Sequence, residues 1–97
     1  MSISNNNLRI NHDLTNEYFY IKVKGGTAEL RYERHGDAYL ELVSTTVPSD
    51  SQDFGIGGLL VEKALKYAER EELKVKPSCI FAQKFVQEHS EYNYLLN

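Results

Sequence analysis

A single cysteine, Cys79, among 97 residues excludes an internal disulfide framework and a cysteine-rich metal centre. Only three histidines occur, His12, His35 and His89, and no two have the spacing of a helical ligand pair, so the sequence predicts no metal site. No apolar run approaches the ~20 residues that a membrane-spanning helix needs. The first ten residues, MSISNNNLRI, lack the charged start and long apolar stretch of a secretory signal. These absences predict a cytoplasmic chain with no membrane partner. Basic residues are also few, 11 Lys and Arg against 14 Asp and Glu for a net charge of −3, which argues against a broad nucleic-acid footprint.

What remains is an ordinary globular composition, 41% hydrophobic and 26% charged. The length suits one core and one domain, residues 1–97. Residues 1–13 are polar and Asn-rich, with Leu8 and Ile10 alternating, and are expected to be loose or to form a short edge strand. Glu17–Lys24 places Phe19, Ile21 and Val23 on one face of a strand and Tyr18, Tyr20 and Lys22 on the other. Gly25-Gly26 then reads as a hairpin turn. The return strand, Thr27–Arg34, sets Ala28, Leu30 and Tyr32 against Glu29, Arg31 and Glu33. After a turn at His35-Gly36-Asp37, the strand Ala38–Val47 becomes nearly continuous apolar and β-branched, the pattern of a central strand covered on both faces. Three such strands make an antiparallel meander.

Pro48 ends that strand, and Ser49–Asp53 reads as a polar loop. Ile56, Leu59, Leu60, Ala64, Leu65 and Ala68 then recur at helical spacing to about Glu72. Between strand and helix stands Gln52-x-x-Gly55-x-Gly57-Gly58. Glycines there admit close approach to the backbone, and a helix start carries partial positive charge, so the junction is a candidate phosphate cradle, although most such loops, taken alone, are ordinary turns or helix entries. Leu73–Lys76 alternates as a fourth strand, parallel to or close beside the third because its connection is short. Ile80, Phe81, Phe85 and Val86 mark a second helix ending near Ser90, followed by an apolar tail of Tyr92, Tyr94, Leu95 and Leu96. The expected class is α+β, ordered β-β-β-α-β-α.

In this order of elements and in several short motifs the chain resembles the GCN5-related N-acetyltransferases, and within them a small stand-alone branch. Gln52, Asp53, Phe54, Gly55, Ile56 and Gly57 match the superfamily's Gln/Arg-x-x-Gly-x-Gly/Ala loop. Val47-Pro48 precedes it, and Leu73-Lys74-Val75-Lys76-Pro77-Ser78-Cys79, Phe81 and His89-Ser90-Glu91-Tyr92 follow, as in the small branch. The resemblance covers about Glu17 to Leu96. It departs at Asp53, where relatives often have glycine, at Phe54, near which they carry a basic residue, and at Ser44-Thr45-Thr46, where they tend to carry a histidine.

The resemblance implies an antiparallel sheet with helices and a site for acetyl-CoA. Gln52 to Gly58 and the following helix start would hold the pyrophosphate, and the strand end, including Thr45, Thr46 and Val47, would pair along the pantetheine arm. Cys79 falls on the position of an acyl-handling thiol; a small buried apolar residue is the plain alternative. Lys84 would assist that thiol, contact phosphate, or be solvated. His89 reads as a helix cap, Tyr92 and Tyr94 as packing residues or hydrogen-bond donors, and Glu41 as a cross-strand partner or an orienter of an amine. Two functions follow: acetyl transfer from acetyl-CoA to an amine, small molecule or protein, or a non-catalytic acyl-CoA-binding or interaction module. The expected state is monomer or weak homodimer.

Overall fold

The computed structural model describes residues 9–97, and the side chains of Asp53 and Phe54 lie outside the described set. Five strands form one sheet in the order β1-β2-β3-β4-β5, with β1 Asn11–Asp13, β2 Tyr18–Val23, β3 Gly26–His35, β4 Tyr39–Thr46 and β5 Lys74–Pro77. Helix α1 spans Ile56–Arg70 and α2 spans Ile80–Glu88; 3-10 helices cover Ser49–Phe54 and Ser90–Leu95. β1 to β4 are antiparallel and β5 joins β4 in parallel, Leu40 opposite Val75. An edge strand therefore exists, at Asn11–Asp13. The expected apolar pair for it was Leu8 and Ile10, and Leu8 lies outside the described residues.

The alternation in the sequence resolves into one buried sheet face. Phe19, Ile21, Ala28, Leu30, Tyr32, Leu40 and Leu42 point inward and meet Ile56, Leu60, Val61, Ala64, Leu65 and Ala68 of α1. Burying a large apolar side chain stabilises by about 1.5–3 kcal/mol, so this interface dominates the fold. The expectation that both faces of β4 are covered is not met. Val43 is 39% exposed, because both helices lie on the Leu40–Leu42 side. β-branched residues at the end of β4 serve pairing and the groove described below rather than a second core.

A register shift between Arg31 and Tyr32 makes the ladder skip Val43: Tyr32 pairs Leu42 and Arg31 pairs Ser44. This bulge turns Thr45 toward the helix side, opposite the buried Leu30. The β2–β3 hairpin turns through Lys24-Gly25, one residue earlier than the glycine pair suggests, and its tip braces the 3-10 turn. Ser51 Oγ donates to the Lys24 carbonyl at 2.7 Å, and a Cβ on Gly25, whose φ is +92°, would stand 3.1 Å from Asp50 Cβ. The tail docks as expected: Tyr92 and Leu95 are buried, and Asn97 N–H donates to the Val75 carbonyl at 2.9 Å beside a Val75–Leu96 bridge. In α2 the buried residues are Ala82 and Val86, whereas Ile80 and Phe81 are 81% and 45% exposed. Apolar spacing located that helix but not its buried face.

Candidate functional site

β5 follows β4 only from Tyr39 to Leu42, and there the chain swings away. The backbone N–H groups of both Ser78 and Cys79 donate to the Leu42 carbonyl, at 3.0 and 3.1 Å, which ends the ladder. Val43–Thr46 therefore carries a strand edge with no partner from β5. In the gap lies a groove of about 480 Å³ lined by Thr45, Val47, Gln52, Gly55, Gly57 and Phe81. Of the residues singled out in the sequence, Thr45, Val47, Gln52, Gly55 and Gly57 line this one groove, and Cys79 does not.

Cys79 stands at the N-cap of α2 with φ −85° and ψ 147°. Its Sγ accepts from Ala82 N–H at 3.3 Å and lies 3.5 Å from Thr45 Oγ1, and it is half-buried. A thiol here takes the place that Ser or Asp usually fills, accepting a helix N–H. The bulge supplies Thr45, and the end of β5 supplies the thiol.

The glycine loop is built rather than slack. Gly55 caps α1 in the left-handed conformation, φ +70°, which disfavours residues with a Cβ, and it carries no side chain to satisfy the first turn. Gly57 is buried against Phe81: a Cβ there would lie 2.8 Å from Cε1 of that ring. Gly58 faces Phe85, 3.4 Å from Cε2 to an added Cβ. The Ile56 side chain belongs to the core. Gln52 is exposed and donates from Nε2 to the Val47 carbonyl at 3.1 Å, which ties the loop to the strand end. Thr46 is exposed beyond it. The backbone of Asp53 and Phe54 belongs to the 3-10 turn, and the added carboxylate of Asp53 lies outside the described side chains.

A second groove, about 330 Å³, runs between α1 and α2 and is bordered by Gly55, Gly58, Phe81, Lys84, Phe85, Glu88 and His89. Lys84 thus shares a groove with Gly55 and Gly58 and does not line the one that holds Thr45. Phe81 separates the two grooves, since it lines both. His89 caps its helix, donating from Nδ1 to the Phe85 carbonyl at 2.9 Å and stacking on that ring with centroids 4.0 Å apart. Tyr92 and Tyr94 are turned to α1, where they donate to Glu62 and Glu69; burial and the Glu62 hydrogen bond push the Tyr92 phenol up to about 12.

Sequence reading gave Glu41 two roles and His35 none. Here Ser78 Oγ donates to Glu41 Oε2 and His35 Nε2 donates to Glu41 Oε1 at 3.1 Å, so the Glu41 carboxyl sits below its usual range. Ser78 thereby ties the Cys79 turn to the open sheet face. Ser44 pairs with Arg31, away from the residue pair Thr45–Cys79. Strand register, which no local pattern encodes, creates both relations.

Comparison with known proteins identifies the family and the fold. The family model for GCN5-related N-acetyl-transferases matches residues 18–95. Protein NATD1 of Homo sapiens is 32% identical over 90 residues, covering 91% of this chain and 80% of the human protein. Protein NATD1 of Danio rerio is 33% identical over 90 residues, covering 91% and 82%. A GCN5-like protein from Staphylococcus aureus, whose structure was determined in solution by NMR, superposes with a TM-score of 0.74 over 94% of this chain and 89% of its own, at 23% identity. That likeness is one of fold. The chain belongs to the GCN5-related N-acetyltransferase family.

Proposed function

We propose that this protein binds acetyl-CoA and transfers its acetyl group to an amine. The observation that carries the reading is the groove at the strand split, bordered by a strand edge without a β5 partner and by the uncapped glycine start of α1, with the Cys79 thiol just behind its wall, 3.5 Å from Thr45 Oγ1. The residues present fit such a co-substrate. The edge Val43–Val47 offers backbone groups to an amide-bearing arm, and the α1 start offers N–H groups and positive potential to a pyrophosphate. In the neighbouring groove Lys84 stands with Glu88, and the ring of Phe85 furnishes an apolar wall. Acetyl-CoA supplies an acyl group activated as a thioester.

Around that group the chain's own atoms have distinct tasks. Thr45 Oγ1 holds a hydrogen bond with Sγ of Cys79, and Ala82 N–H donates to the same sulfur, so the thiol is fixed in orientation beside the groove as a nucleophile for the acyl group. Phe81 shields the groove from one side. The open sheet face leaves the acceptor side uncovered, which suits a flexible amine or a protein chain. A binding module without turnover is the second reading, favoured by Ser44, which occupies the position of the relatives' histidine and faces away from the thiol.

Titration of labelled protein with acetyl-CoA, read by NMR and then by intact mass, tests this. Shifts at Thr45–Val47, Gln52–Gly58 and Phe81–Lys84 with an acetyl adduct that disappears in Cys79→Ala support transfer through the thiol. The same shifts with no adduct and no acetylated amine product favour the binding module. No shifts in those segments overturn both.

A further inference from the structure

Away from the acyl groove, the β3–β4 ladder gathers a second constellation. Glu33 and Glu41 are directly opposed in the register, and like charges so placed repel. His35, two residues along β3 on the same face, brings Nε2 to 3.1 Å from Glu41 Oε1 and 3.6 Å from Glu33 Oε1. The three donor atoms all lie within 4.8 Å of one another. With these separations a point equidistant from the three atoms lies no more than roughly 2.4 Å from each, against zinc–nitrogen and zinc–oxygen lengths of about 2.0–2.2 Å. A few tenths of an ångström of side-chain motion would close the difference.

Groups outside the trio orient it as outer partners orient metal ligands. The Ser78 hydroxyl occupies Glu41 Oε2 and leaves Oε1 toward the imidazole, while the Tyr39 ring stacks on His35 with centroids 4.5 Å apart and planes 16° from parallel. Lys76 of β5 stands opposite Glu41 in the register. The side chains of Glu33, His35 and Glu41 are 60%, 39% and 20% exposed, so an ion reaches them without opening the fold.

We propose that Glu33, His35 and Glu41 form a binding site for a divalent transition-metal ion of the zinc class. Mixed imidazole and carboxylate donors select such ions over calcium or magnesium, and three protein ligands leave a position for water. The ion would relieve the Glu33–Glu41 repulsion and, through Glu41 and Ser78, stiffen the turn that carries Cys79. The site does not depend on the acetyl-transfer reading.

The test is calorimetric titration of the full chain with zinc chloride, in a Cys79→Ser background that removes the competing thiol, with NMR to locate the ion. The expected result is one equivalent bound, with shifts at the His35 imidazole and the Glu33 and Glu41 amides. His35→Ala and Glu41→Gln should each weaken it at least tenfold, with Ser78→Ala weakening it several-fold and Glu62→Gln leaving it unchanged. All these positions are at least partly exposed, and a retained amide spectrum verifies folding. Absence of binding at millimolar zinc, shifts at His12 or His89 instead, or equal affinity in His35→Ala would overturn the proposal.

Discussion

Gly57→Ala separates packing from binding in a single methyl group. Its Cβ would fall 2.8 Å from Cε1 of Phe81, so the ring must move. Phe81 is 45% exposed and leaves without opening the core, at an off-rotamer cost of about 0.5–1.5 kcal/mol. Against this, replacing glycine by alanine inside a helix gains up to ~1 kcal/mol. The two terms nearly cancel, and the net change in unfolding free energy stays within about 1 kcal/mol, or less than about 8 °C in Tm for a domain of this size. The displaced ring enters one of the two grooves that it borders, and acetyl-CoA affinity should fall at least tenfold, about 1.4 kcal/mol. In the double variant Gly57→Ala/Phe81→Ala the obstruction is gone, so affinity should return toward that of Phe81→Ala alone. Urea unfolding and calorimetric binding on the four proteins measure the cycle. A loss above about 3 kcal/mol in Gly57→Ala would show that the contact is core packing, and affinity still depressed in the double variant would show that the ring is not the obstruction; either refutes the reasoning.

Gly55→Ala should destabilise by about 1–2 kcal/mol in thermal unfolding through its left-handed φ alone, since an added Cβ meets nothing within 4 Å, with Gly55→Asn less affected. Leu42→Ala removes a fully buried side chain at the strand split and should cost about 2–5 kcal/mol by urea denaturation. His12 stacks on Phe19 and bonds Tyr32, and burial, followed by the charge of Arg70, lowers its pKa. A depressed histidine contributes stability that is complete above the unfolded value near 6.5 and is lost as pH falls below it toward the folded pKa. Urea midpoints between pH 5 and 8 should therefore decline below about 6.5, and the decline should shrink in His12→Asn. An unchanged pH profile in that variant would remove His12 as its source.

Much of the fold was legible because alternation and helical spacing are local. Phe19, Ile21, Leu30 and Leu40 announce their strands, and the short link from α1 to Lys74 allows a parallel partner for β4. The Thr45–Cys79 contact was half legible, since Cys79 belongs to a matched motif and Thr45 to the strand end beside one, but their 3.5 Å approach depends on a bulge that no residue type announces. Glu33, His35 and Glu41 were invisible for a related reason: they are neighbours only through antiparallel register, and a search for ligands spaced along one element passes over them. Ile80 and Phe81 misled because hydrophobic spacing reports that a face exists, while the direction of that face is set by where Cys79 anchors the helix.

The bridge between Val75 and Leu96, with the Asn97 N–H on the Val75 carbonyl, has a consequence for the behaviour of the protein in concentrated solution. β5 is the outermost strand of the sheet on its side, and an uncovered outer strand is a template for another chain. Leu96 occupies part of that row of donors and acceptors, and the tail fastens there through Lys74 Nζ on the Tyr94 carbonyl. Loosening these few contacts would leave the sheet folded yet sticky. The first sign of damage to the tail would therefore be concentration-dependent self-association, ahead of any loss of secondary structure.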